Sequence, residues 1–133
     1  MTLRDLLERV ERATEGSRDL DDAIDALLFP TEPGRTFDGV TPIPDGWGSG
    51  FGPAYSASVD AALALIGRVL PGGWVGFQAN RVTDPQRAWS AWLEVFPDKA
   101  KDYDTFERQA PTPALALCAA LLAAMIEQET TNG

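Results

Sequence analysis

The thirteen residues from Ala114 to Ile126 contain no charged side chain, and this run constrains the fold more than any other stretch of the chain. Thr112 can cap a helix here, and Pro113 can open it, since proline lacks the N–H that a first helical position leaves unsatisfied anyway. In such a helix Leu115, Leu117, Leu121, Leu122, Met125 and Ile126 spread almost all the way round. A helix apolar on most sides has to be surrounded, so it belongs deep in a core or across an oligomer interface. Thirteen residues are too few to cross a bilayer, which takes about twenty.

Three further helices are expected, at about 2–15, 17–29 and 56–70. In the first, Thr2 caps and Leu3, Leu6, Leu7, Val10 and Ala13 recur at the spacing that lays one apolar stripe along a helix. Gly16 suits a left-handed C-terminal position. Ser17 then caps a second helix with Leu20, Ile24, Leu27 and Leu28 as its stripe, and Asp19, Asp21 and Asp22 near its positive end. The two read as a helical hairpin with its carboxylates facing water. Ser56 caps the third helix, whose apolar positions are Val59, Ala62, Leu63, Ile66 and Leu70, and Pro71-Gly72-Gly73 stops it.

Between the second and third helices, residues 30–55 are so rich in proline and glycine that no regular element can run far. Within this loop the run from Asp45 to Gly52 mixes exposed backbone with Trp47 and Phe51. Those rings suit either contact with a partner or pinning of the loop to the body. The glycines do not form a phosphate cradle, because neither a preceding hydrophobic strand nor a Gly-Lys-Ser/Thr sequence accompanies them.

After the third helix, residues 74–82 and 87–96 flank the turn Thr83-Asp84-Pro85-Gln86 and predict an antiparallel hairpin over about 74–96. Trp89, Ala91, Leu93 and Val95 share one face of the second strand, while Trp92 and Phe96 lie on the other, so the sheet needs cover on both sides. A helix capped by Asp84 with Pro85 at its first position fits Trp89, Trp92, Leu93 and Phe96 as well. Residues 97–111 read as a polar connection. The whole is an α+β fold, an antiparallel sheet covered by helices as an α-β-α sandwich, in a single domain over 1–133.

Composition narrows the chemistry. The chain has no histidine, which removes Ser-His-Asp and Cys-His catalysis, histidine general bases and histidine zinc sites. Its one cysteine, Cys118, lies in the apolar run and reads as a buried thiol in a reducing compartment. Met1 is followed by a charged amphipathic segment rather than a basic flank and an apolar core, so export is not expected. A net charge of −9 should repel phosphate backbones and anionic headgroups, which argues against direct binding of nucleic acid or membrane.

Three blocks together resemble small phage and prophage proteins carrying the phage ABA sandwich domain: Ala13 to Asp21 (ATEGSRDLD), Pro53 to Leu63 (PAYSASVDAAL) and Ala110 to Ala120 (APTPALALCAA). Their order and separation match as well. The resemblance implies a sheet covered by helices and a phage context in the cytoplasm of a host bacterial cell, and it carries no catalytic or ligand residues. The function expected from all this is a non-enzymatic protein-binding protein without cofactor or metal. It would act through an acidic surface, with Trp47, Phe51, Asp19, Asp21, Asp22 and Asp25 as contact candidates. One alternative is a host-directed inhibitor, of the anti-CRISPR or another counter-defence type, whose carboxylates mimic nucleic-acid charge against a basic nucleic-acid-binding host protein. The other is a carboxylate- or metal-dependent enzyme using Asp98, Asp102, Asp104 and Glu107.

Overall fold

The computed structural model describes residues 2–28, 54–95 and 104–132. Among these residues four α-helices and a three-stranded antiparallel sheet make an α+β fold with helices packed on the sheet. In chain order the elements are α1 (Leu3–Arg12), α2 (Arg18–Leu28), α3 (Val59–Val69), β1 (Trp74–Ala79), β2 (Trp89–Val95), β3 (Asp104–Ala110) and α4 (Pro113–Asn132).

The helix starts follow from their capping residues. At α1 the Thr2 hydroxyl accepts from the Asp5 N–H at 3.1 Å while the Asp5 carboxylate accepts from the Thr2 N–H at 2.9 Å, a reciprocal box that satisfies two otherwise orphaned donors. Those hydrogen bonds from Thr2, backbone first and side chain second, hold the Asp5 carboxyl below its ordinary value. Ser17 Oγ accepts from Leu20 N–H at α2, and Thr112 Oγ1 accepts from Leu115 N–H at α4, both at 3.2 Å. The third helix departs from expectation: its cap is Ser58, which accepts from Ala61 N–H. Ser56 is drawn instead into a buried network with α2. Gly72 stops α3 with a φ of 88°, the left-handed conformation that glycine adopts without a Cβ clash.

α4 is the centre of the molecule. Every residue from Ala114 to Ala124 is buried, and α4 packs against all three strands and against α1 and α3. Alanines at positions 114, 116, 119, 120, 123 and 124 let neighbours approach closely, while Leu115, Leu117, Leu121 and Leu122 fill the space between. The apolar surround read from the sequence is supplied within one chain over Ala114–Ala124. No helix among the described residues is long and apolar enough to cross a membrane.

β2 is the central strand. Residues 89–95 form a strand rather than a helix, although Asp84 does cap a single 3₁₀ turn at Pro85–Arg87, with its carboxylate accepting from Gln86 N–H at 2.9 Å. Beyond the expected hairpin lies a third strand. β3 pairs antiparallel with β2, Leu93 opposite Phe106 and Ala91 opposite Arg108, where the sequence reads as a polar connection. Alternation places Ala91, Leu93, Phe106 and Ala110 on the α4 face. The opposite face, with Trp74, Gln78, Thr105, Glu107 and Gln109, is exposed, and Trp92 on it is half-buried. There the Trp92 indole lies directly over Gly76, the residue opposite it in the register.

Candidate protein-interaction surface

The carboxylates expected on an acidic helix face divide into two groups. Asp19 is exposed and Asp22 is half-buried, but Asp21 and Asp25 are only 4% and 8% exposed. Asp21 and Asp25 fall on the Leu20–Ile24 side of α2 and meet the segment that leads into α3. The Asp21 Oδ1 atom accepts from both the Ser56 N–H and the Ser56 hydroxyl, each at 2.7 Å. The same hydroxyl lies 3.1 Å from the Ser17 carbonyl oxygen and accepts from the Ser17 N–H at 2.9 Å. Asp25 Oδ1 accepts from the Tyr55 hydroxyl at 3.2 Å. A buried carboxylate is tolerated only when donors replace its water, and these donors do so. Asp21 and Asp25 are thus fasteners between α2 and residues 55–56, correcting the expectation that they face a partner.

Gly16 belongs to the same junction. A Cβ there would sit 2.3 Å from the Ser56 carbonyl oxygen and 2.7 Å from Ala57 Cα. Glycine is present for close backbone approach, not for a left-handed helix end, since its φ is not positive. Cys118 completes the network by directing its thiol at the Tyr55 carbonyl oxygen, 3.2 Å away. Burial, with the Asp21 charge adding to it, pushes that thiol up to about 12, so at neutral pH it is protonated and inert.

With Asp21 and Asp25 inside, the exposed charges on the first two helices and their connection nearly balance. Asp5, Glu8, Glu11, Glu15 and Asp19 stand against Arg4, Arg9, Arg12 and Arg18, and Arg12 pairs with Glu8 at 3.0 Å. Trp47, Phe51, Asp98 and Asp102 lie outside the described residues. Glu107 is exposed on β3, and among the described residues no group of three or more acidic or cysteine side chains could hold a metal ion.

The apolar surface lies elsewhere, on β1. Trp74 is 68% exposed, Val82 44%, Val75 41% and Phe77 38%, and these are the large apolar side chains that stand out among the described residues. β1 is at one edge of the sheet, and α4 covers β2 and β3 more fully than it covers β1. The Phe77 ring lies tilted against that of Trp89 at 6.4 Å. Beside the strand runs an apolar groove of about 290 Å³, walled by Leu63, Ile66 and Leu70 of the α3 side and by Trp74, Val75 and Leu93 of the sheet, with Glu94 at its border. The glycines Gly72 and Gly73 form its rim.

In the sequence, residues 74–82 read as a hairpin strand of a sheet covered on both sides, which does not single out Trp74, Val75 or Phe77 as contact residues. The alternation of Trp74, Gly76 and Gln78 against Val75, Phe77 and Ala79 leaves neither face clearly polar, which was the available sign of an edge awaiting cover. Fold and surface together define an α+β protein in which, among the described residues, the β1 edge of the sheet is apolar and has no further strand beside it. Comparison with protein-family models, with curated proteins and with solved structures returned no match.

Proposed function

We propose that this chain is a non-enzymatic protein-binding protein whose contact surface is the outer edge of β1 with the groove beside it. The observation that carries the reading is the exposure of Trp74, Val75 and Phe77 on a strand that, among the described residues, ends the sheet. Unpaired edge N–H and C=O groups offer hydrogen bonds to an added strand, while exposed alternate side chains and a neighbouring pocket supply specificity. Catalysis draws on a poorer inventory: no histidine in the chain, an unreactive thiol, and buried carboxylates occupied in holding α2 to residues 55–56. The phage or prophage setting, and with it the cytoplasm of a host bacterial cell, rests on the resemblance of the three sequence blocks. β1 is preferred to the acidic helices as the contact because the exposed charges of those helices nearly cancel.

The test compares baits. Wild-type protein, Phe77→Lys and the pair Asp19→Ala with Asp22→Ala are immobilised after circular dichroism shows each folded. Proteins retained by wild type should be lost from Phe77→Lys and kept by the acidic variant. Retention that ignores β1 but disappears with the carboxylates or in high salt would instead favour charge mimicry of nucleic acid.

A further inference from the structure

The two edges of the sheet differ in how they are guarded. β3 carries Asp104, Glu107 and Arg108 within Asp104–Ala110, and charge on an edge strand discourages pairing with another chain. β1, from Trp74 to Ala79, has the sequence WVGFQA, with neither a charge nor a proline. Trp74, Val75, Phe77 and Val82, the exposed large apolar residues, lie on this edge or just beyond its end.

We infer that the occupant of this edge is a second copy of the same chain, joined by antiparallel β1–β1 pairing about a two-fold axis at Phe77. The inference rests on the reading of β1 as the contact edge and adds the identity of the partner. Asn80 N–H donates inward to the Ala88 carbonyl at 2.7 Å. Antiparallel alternation then turns the backbone groups of Trp74, Gly76 and Gln78 toward β2 and those of Val75, Phe77 and Ala79 outward. An odd set of outward residues has a middle member. A two-fold axis there places Phe77 opposite its own counterpart and Val75 opposite Ala79 twice, which satisfies every outward N–H and C=O of the strand.

The same register brings the flanking features together. Gly73 falls opposite Arg81 and Gly72 opposite Val82, so the exposed Val82 of each copy reaches the glycine rim of the other copy's apolar groove. All four exposed apolar side chains then lie at one contact. Two chains of net charge −9 meet along an uncharged line, and Arg81 of one arrives at the end where the other carries Glu94, the cross-strand neighbour of Trp74. Closure consumes both β1 edges and leaves only the charged β3 edges outside. Association therefore stops at two, in a six-stranded sheet ordered β3-β2-β1-β1-β2-β3.

Sedimentation velocity on the purified chain over a dilution series tests this. The expected result is a reversible species of twice 14.3 kDa that Phe77→Lys, which sets two ammonium groups against each other on the axis, weakens by about a hundredfold. Val82→Lys, outside any strand and thus harmless to folding, should also weaken it, and Thr105→Lys on the β3 edge should not. A chain that stays monomeric at every concentration, a dimer indifferent to both Phe77→Lys and Val82→Lys, or growth beyond two copies would each overturn the inference. If the monomeric chain nevertheless retains another protein that Phe77→Lys loses, the β1 contact stands and only the identity of its occupant is wrong.

Discussion

Replacing Asp21 by alanine separates a structural carboxylate from a partner-facing one. Asp21 Oδ1 accepts two hydrogen bonds at 2.7 Å, from the Ser56 N–H and the Ser56 hydroxyl. A hydrogen bond to a charged group contributes about 1.5–3 kcal/mol net, and a buried donor left unpaired costs about 1–3 kcal/mol. The two bonds are not independent, since the hydroxyl can turn to the Ser17 carbonyl at 3.1 Å. The loss is therefore about one charge-assisted bond plus one orphaned N–H, tempered by relief of the carboxylate's own desolvation, or about 3 kcal/mol. At about 2.1 cal/mol/K of unfolding entropy per residue, a chain of 133 residues should melt about 10 °C lower. Asp21→Asn keeps an acceptor for the Ser56 N–H and should lose about 1 kcal/mol. Urea unfolding followed by tryptophan fluorescence measures all three proteins against Asp19→Ala, an exposed site expected to stay within about 0.5 kcal/mol of wild type. If Asp21→Ala proved as harmless as Asp19→Ala, the buried fastening of α2 to Ser56 would be refuted.

Gly16→Ala should destabilise by about 2–3 kcal/mol in the same urea titration, because its Cβ would meet the Ser56 carbonyl oxygen at 2.3 Å and only a backbone shift can relieve that. Leu117→Ala, within the part of α4 buried on every side, should cost about 2–5 kcal/mol. Cys118 should resist thiol reagents in the native state and react at the rate of unfolding. Its raised folded value also fixes a sign: the folded form holds the thiol proton that the unfolded chain releases. This contribution to stability is intact below 9.0 and is lost as pH rises from there toward about 12. Alkaline unfolding of Cys118→Ala should be correspondingly less steep over that window, as read by circular dichroism.

The helices were legible because their stripes and caps are local. Thr2, Ser17, Thr112 and Pro113 do what their positions suggest, and the all-round apolar character of α4 foretold a buried helix. What sequence reading missed depends on partners far along the chain. Ser56 looked like the cap of α3 because nothing nearby announces its bond to Asp21, 35 residues away. Asp21 and Asp25 share the helical face of Leu20 and Ile24, and a carboxylate within an apolar stripe was the one sign that they turn inward. β3 was hidden because only Phe106 and Ala110 among its inward residues are plainly apolar. Arg108, which alternation puts on the same face, is charged and half-buried. That β1 lies at an edge of the sheet follows from the pairing of β2 with β3 on its other side, and the only local hint was the lack of a clearly polar face over residues 74–79.

Amide hydrogen exchange at Val75, Phe77 and Ala79, followed as the chain is concentrated, tests the bare β1 edge most directly. Those amides should exchange fast in dilute solution and gain protection as copies pair, with no change at Thr105, Glu107 and Gln109 on the other edge. Protection already complete in dilute monomer would mean that the chain covers its own edge, and β1 could not then be the contact surface.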